Sequence, residues 1–300
     1  MGRPSWPGCR ARKTSRQNEP DPYSSLSTWV ATRGQMETIT SRNNPKVKQA
    51  RALRQRKARD ENQAFLVEGI HHVGAAAEAG AELLEIFYAP DYLKSSFGLT
   101  LVESQAARGV PCYATTTEVF DSLADKDNPQ GLLAVVAQRR VELHDLNPEN
   151  FPWAVALVAA QDPGNLGAIL RTIDAVAASG LLLLEGGVDA YHPAAVRASL
   201  GAIFWRPVVT ASFAEFGAWA QRNAYTIYGA SARGSLDYRQ VERYAQPLIL
   251  LLGSEREGLA PDQAVICDEV LRLPMKGHVT SLNMAVAAGV LLYGIFDKRR

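Results

Sequence analysis

Four segments in the second half of this chain, WAVALVAA (153–160), GLLLLEG (180–186), YTIYGAS (225–231) and PLILLLG (247–253), are apolar almost without interruption. A strand with one wet face alternates apolar and polar residues, so strands that do not alternate have both faces covered. Helical patterns stand between them: NLGAILRTIDAVAAS, HPAAVRASLGA and FAEFGAWAQRN, followed by the short PDQAVICD, a further strand EVLRLP, and SLNMAVAAGVLLYGIFDK. Buried strands separated by helices specify an α/β fold with a parallel sheet covered on both sides. Such sheets bind ligands beyond the carboxyl ends of their strands.

The first half reads as a smaller α/β unit. AFLVEG, LLEIFYA, VPCYAT and GLLAVVAQ are strand-like, and HHVGAAAEAG, LVESQAARG and TTEVFDSLAD are helix-like. RRVELHDLNPENFP (139–152) is polar and carries two prolines, which places a domain boundary there. The expected organisation is a unit over 38–140, a linker over 141–150 and the parallel-sheet domain over 151–300. Residues 1–37, rich in Pro, Ser, Arg and Gly, are expected to be disordered, or an extension ahead of a natural start at Met36.

A net charge of +1 conceals an asymmetry: residues 1–59 carry +11 and the remainder −10. That split suits a basic arm or face for a polyanion joined to a mildly acidic body. Within NNPKVKQARALRQRKARDEN (43–62), Pro45 can open a helix, and Val47, Ala50, Leu53 and Ala58 give only a thin apolar stripe. Lys46, Lys48, Arg51, Arg54, Arg56, Lys57 and Arg59 have few acids nearby, so the expectation is one basic helix whose cations meet RNA phosphates.

Several classes are excluded. Cys9, Cys112 and Cys267 are odd in number and widely spaced, which offers neither a disulfide framework nor a zinc site and suits a reducing compartment. MAVAAGVLLYGIF, at 13 residues, is too short to span a bilayer, and the N-terminus lacks a secretory core. The expected location is cytoplasmic, or mitochondrial if the Arg/Ser-rich start is a transit peptide, against which Glu19 and Asp21 argue. No P-loop, dinucleotide fingerprint, nucleophile elbow or metal-spaced His pair appears.

Three loops remain. DPGNLGAILRT (162–172) begins as a turn, with Asn165 a good helix cap and Arg171 expected in the second turn, where a surface pair with Asp174 would account for it. GSEREGLAP (253–261) passes for an ordinary strand-to-helix loop. LPMKGHVTSLNMA (273–285) places Ser281 at a helix N-cap and Asn283 in the first turn. Each has a bland explanation alone.

Together, in this order and spacing, they resemble the three signature motifs of the SpoU/TrmH family of RNA ribose 2′-O-methyltransferases. VRASLGAIFWRPV is similar to that family too. FLVEGIHHVGAAAEAG and DKDNPQGLLAVV resemble its substrate-binding domain, which is similar to small ribosomal RNA-binding proteins. The likeness covers about residues 38–297. It departs at Ala177, where members usually carry Gly, and slightly tighter helix–sheet packing is expected there.

The resemblance implies a deep trefoil knot in the C-terminal domain, an exception to the usual rule against threaded chains. It implies that S-adenosylmethionine is held by Leu252, Gly253, Leu273, Met275 and Leu282, with Gly253 and Gly277 suiting close backbone contact. Arg171, Asn165, Glu255, Ser281 and Asn283 are implied around the reacting hydroxyl. Arg171 acts there as a clamp on phosphate or developing alkoxide, because a guanidinium loses its proton only above about pH 12; the base is left open. It implies a homodimer paired through the knotted domain, and no metal. The target is RNA, with large-subunit ribosomal RNA ahead of tRNA. Two other readings stand: a non-catalytic RNA-binding or ribosome-assembly protein, against which the five intact residues weigh, and a small-molecule enzyme, which leaves the basic segment without purpose.

Overall fold

The computed structural model describes residues 38–125 and 128–299; the stretch 1–37, with Cys9, lies outside them. Strands β1 (Ala64–Glu68), β2 (Leu83–Tyr88), β3 (Cys112–Ala114) and β4 (Leu132–Ala137) form a mixed sheet in the order β1-β4-β2-β3. Strands β5 (Trp153–Val158), β6 (Leu181–Leu184), β7 (Val208–Ala211), β8 (Thr226–Ala230), β9 (Leu236–Asp237), β10 (Leu248–Leu252) and β11 (Glu269–Arg272) form the second sheet. Its order is β7-β6-β5-β10-β8-β11-β9, and every pairing is parallel.

The apolar runs are explained by which core each residue enters. Trp153, Val155 and Leu157 of β5 join one buried cluster, while Ala154, Ala156 and Val158 join another on the opposite face. Leu248, Leu250 and Leu252 of β10 divide from Ile249 and Leu251 in the same way. The first cluster continues without a break into the smaller unit, taking in Phe65, Val67 and Val73 together with Ala195, Ile203 and Phe204. Phe65 packs at a tilt against Tyr191 with centroids 4.6 Å apart and stacks on Phe204 at 6.2 Å. The segment 139–152 is likewise packed: Leu146 and Phe151 are buried, and the Trp219 indole donates to the Leu146 carbonyl at 2.9 Å.

The basic segment departs from expectation. It forms two short helices, Pro45–Ala52 and Arg56–Asn62, separated by a bend. The thin stripe is fully used: Val47, Ala50 and Leu53 are buried against Phe120 and Leu123, and burying a Val or Leu side chain contributes about 1.5–3 kcal/mol. Most of the seven cations also have partners within the chain. Lys46 pairs with Glu85 at 2.6 Å, which raises its pKa, and Arg56 and Lys57 pair along their helix with Asp60 and Glu61. Arg51 donates to the Arg42 carbonyl, and Arg54 to the carbonyls of Leu123 and Ala124. Arg59 is 1 % exposed, and a side chain enclosed to that degree offers RNA nothing. Lys48 alone of the seven is both exposed and unengaged among the described residues.

Ala177 also has a different explanation from packing. The helix Pro163–Ala175 ends in a Schellman turn, with Ala178 N–H donating to the Ile173 carbonyl and Ala177 N–H to that of Asp174. Ala177, exposed, holds φ +54 there, where an L side chain is disfavoured and Gly is not. Ala177→Gly is expected to stabilise the fold by about 0.5–1 kcal/mol, the relief of left-handed strain less the greater freedom glycine loses. Thermal unfolding checks this, and a melting temperature at or below wild type would rule it out.

The thiols of Cys112 and Cys267 are free, and burial pushes both up to about 11, so neither is a thiolate at neutral pH.

Candidate active site

Strand β10 ends at Leu252, and the chain then closes a five-residue turn. Ser254 and Gly258 exchange backbone hydrogen bonds at 3.1 and 3.0 Å, and Glu257 N–H donates to the Ser254 hydroxyl. Gly253 lies directly under that turn. A Cβ on it would stand 2.0 Å from the Gly258 carbonyl carbon, so glycine is required by the chain's own backbone. Gly277, expected to serve a similar close approach, has nothing within 4 Å of such an atom.

Between this turn, the end of β11 and the residues leading into the final helix, Met284–Lys298, lies an open cavity of about 600 Å³. Leu252, Gly253, Glu255, Leu273, Met275, Ser281 and Leu282 all line it. Ser231 and Arg233, which follow β8, line it as well. These two were missed in the sequence, although the carboxyl end of a parallel strand next to β10 was the signal available.

The helix caps fall elsewhere than expected. Asp162, not Asn165, caps the helix Pro163–Ala175, accepting from Asn165 N–H at 2.6 Å, with Pro163 in the first position. Asn283, not Ser281, caps the final helix, its Oδ1 accepting from Ala285 and Val286 N–H. That assignment leaves Asn283 Nδ2 to donate, and it does so to Asn165 Oδ1 at 2.9 Å. The two helix starts are thus locked together, with Asn165 Nδ2 unspent among the described residues. The Glu255 carboxylate accepts from Gln161 N–H at 3.3 Å and Asp162 N–H at 3.4 Å, at the positive end of the same helix.

The backbone of Arg171 lies further along the same helix. The residue is the ninth of its helix rather than in the second turn, roughly 9 Å along the axis from Asn165. Its guanidinium is exposed and without a partner among the described residues, because Asp174 pairs instead with Arg206 at 2.8 Å.

A parallel α/β domain with an open cavity at its strand ends has the architecture of a ligand-binding α/β protein. Residues 152–293 match the SpoU rRNA Methylase family, and residues 44–134 match the MRM3-like substrate binding domain. A 23S rRNA (uridine(2479)-2′-O)-methyltransferase of Streptomyces viridochromogenes is 30% identical over 268 residues, 87% of this chain and 92% of that one. The 23S rRNA (guanosine(2553)-2′-O)-methyltransferase RlmP of Bacillus subtilis is 28% identical over 258 residues, 86% of this chain and 98% of its own. A crystal structure of an rRNA methyltransferase from Sinorhizobium meliloti with S-adenosylmethionine bound superposes with a TM-score of 0.78. It is 34% identical and covers 86% of this chain and 97% of that one. The chain belongs to the SpoU rRNA methylase family.

Proposed function

We infer that the chain methylates a ribose 2′-hydroxyl of ribosomal RNA, with S-adenosylmethionine as donor. The observation that carries this is the cavity beside the Asn165–Asn283 lock, lined by the segments that follow β8, β10 and β11 and by the start of the final helix. Its volume lies within the roughly 300–1,000 Å³ usual for such ligands, and its wall mixes Leu252, Leu273, Met275 and Leu282 with backbone and a few polar groups. Those side chains suit an adenine face. When bound, S-adenosylmethionine supplies an electrophilic methyl group on a sulfonium. The chain's own residues must then place the ribose hydroxyl in line and accept its proton. Asn165 and Asn283, each with an amide proton to spare, suit the ribose. Ser281 stands at the cavity wall, Glu255 holds the loop before Asn165, and Arg171 clamps the phosphate or the developing alkoxide.

The same reading has the three loops thread as a trefoil knot and two copies pair through the final helix. Val286, Val290 and Tyr293, at 52, 37 and 52 % exposure, recur at helical spacing and form an apolar stripe that a second copy would cover. Lys48 and the exposed Arg233 and Arg256 at the cavity mouth suit RNA phosphates. Among the described residues no helix is long and apolar enough to cross a membrane, and a cytoplasmic location fits a ribosomal RNA substrate.

Isothermal titration with S-adenosylmethionine is expected to give one site per chain, and a hundredfold excess over Kd should stabilise the fold by about 2.7 kcal/mol. Tritiated methyl transfer should appear on a 23S rRNA transcript and not on bulk tRNA. Folded protein that binds no cofactor at millimolar concentration would overturn the reading, and labelling of tRNA alone would redirect it.

A further inference from the structure

We propose that Arg59 and Asp189 are a positioning couple, through which the lead-in of the substrate-binding half holds the loop that carries the active cluster in register. This rests on reading Asn165, Glu255 and Asn283 as that cluster.

The Arg59 side chain is 2 % exposed and its fork is spent within the chain. Nε and Nη2 both reach Asp189 Oδ2, at 2.7 and 2.5 Å, and Nη1 donates to the carbonyls of Leu53 and Arg54 at 2.8 Å each. The other Asp189 oxygen accepts from Tyr191 N–H at 2.8 Å, which fixes the turn on its far side. One helical turn before Arg59, Arg56 Nη1 donates to the Gly187 carbonyl at 2.8 Å. Two arginines of the lead-in therefore grip two residues of a single loop, Gly187 and Asp189, some 130 positions away in sequence.

That loop needs gripping. Glu185, Gly186 and Gly187 hold φ of +60, +71 and +99 in succession, a path with little local preference to sustain it. It leans on the start of the candidate site. Val188 N–H donates to the Ala160 carbonyl at 2.8 Å, and Gly187 approaches that oxygen so closely that a Cβ would stand 2.3 Å from it. Ala160 is followed at once by Gln161 and Asp162, whose N–H groups hold Glu255 and of which Asp162 caps the helix bearing Asn165. Every step from Arg59 to Glu255 is a hydrogen bond or a covalent neighbour. A buried ion pair adds little stability over an apolar pair of the same volume, so fixed geometry is the better account of this one.

A second pair across the same interface separates positioning from simple adhesion. Arg197 meets Asp125 at 2.5 Å, joining the same two halves without touching 187–189 or 160–162. Asp189→Asn keeps the size and the Tyr191 turn but removes the charge, and Asp125→Asn does the same at the other pair. The full chain is compared by hydrogen exchange over 159–166 and 248–252, by S-adenosylmethionine titration and by single-turnover transfer to the 23S rRNA transcript. Asp189→Asn should speed exchange over 159–166 at least about tenfold, leave 248–252 and cofactor Kd within about twofold, and slow transfer about 10- to 100-fold, as misplacement of roughly 1 Å does. Asp125→Asn should match wild type in all three. Equal behaviour of the two variants, or wild-type exchange over 159–166 in Asp189→Asn, overturns the couple. If Asp189→Asn does not fold, Arg59→Lys, which keeps the charge but cannot span all three acceptors, takes its place and should give the same pattern with smaller amplitude. Should wild type label no RNA, the functional reading fails while exchange still decides the couple.

Discussion

Arg171→Ala is expected to slow single-turnover methyl transfer by about 10²–10³ and to leave the fold and S-adenosylmethionine affinity as they are. The structural work of this side chain is close to nil. Its guanidinium is exposed and unpaired among the described residues, and Asp174, its natural i+3 partner, is taken by Arg206. Truncating an exposed helical residue of that kind changes stability by less than about 0.5 kcal/mol. A clamp that engages charge only as it develops contributes as much as a positioned oxyanion donor, which is the source of the larger figure. Arg171→Lys divides the role further, since an ammonium keeps the charge but not the planar two-point fork. Rates are measured on the 23S rRNA transcript at saturating cofactor, with titration in parallel. A wild-type rate in the Ala variant would leave Arg171 as surface only.

Gly253→Ala should abolish measurable cofactor binding and lower the melting temperature, whereas Gly277→Ala should do neither. At 253 the added methyl meets the carbonyl carbon and oxygen of Gly258 at 2.0 Å and Leu259 N at 2.2 Å. These are backbone atoms and cannot swing aside as a flexible side chain would. The Ser254–Gly258 turn must open, and Leu252 and Glu255 on either side of it move with it. Overpacking of this kind costs about 1–3 kcal/mol or more. At 277 the same methyl enters open space. Titration and thermal unfolding of both variants decide the matter, and a Gly253→Ala protein that binds and melts like wild type would mean the turn yields easily.

The sheet was legible in the sequence because its signal is redundant: a strand buried on both faces is apolar along its length, as β5, β6 and β10 are throughout and β8 is after Thr226. Strands β7 and β9 were not, since β7 is half exposed on the sheet edge and β9 has two residues. The candidate site was legible as a set of loops but not at its joints. Residue type alone points to Asn165 and Ser281 as caps, yet Asp162 before Pro163 is the stronger start signal, and Asn283 takes the final helix because the chain reaches helical geometry only at Met284. Least legible was the basic lead-in. A run of cations with few acids nearby looks like a face for phosphate, and what makes Arg59 internal is an aspartate 130 residues away that no local pattern announces.

Strand β10 carries a consequence for how the chain is made. It is the seam of the large sheet, with β5 on one side and β8 on the other, yet it is sixth of that sheet's seven strands to be synthesised. As the polypeptide leaves the ribosome, the strands of the mixed sheet are all present after Ala137, while the core that takes in Phe65 and Val67 is filled only once Ala195, Ile203 and Phe204 have followed. The strands from β5 to β8, by contrast, emerge with two apolar inner edges and no seam to join them, and unpaired edges of that kind are where nascent chains associate wrongly. A chain truncated before Leu248 therefore lacks the strand that joins β5 to β8, and it is the last fifth of the chain that turns two separate blocks of strands into one sheet.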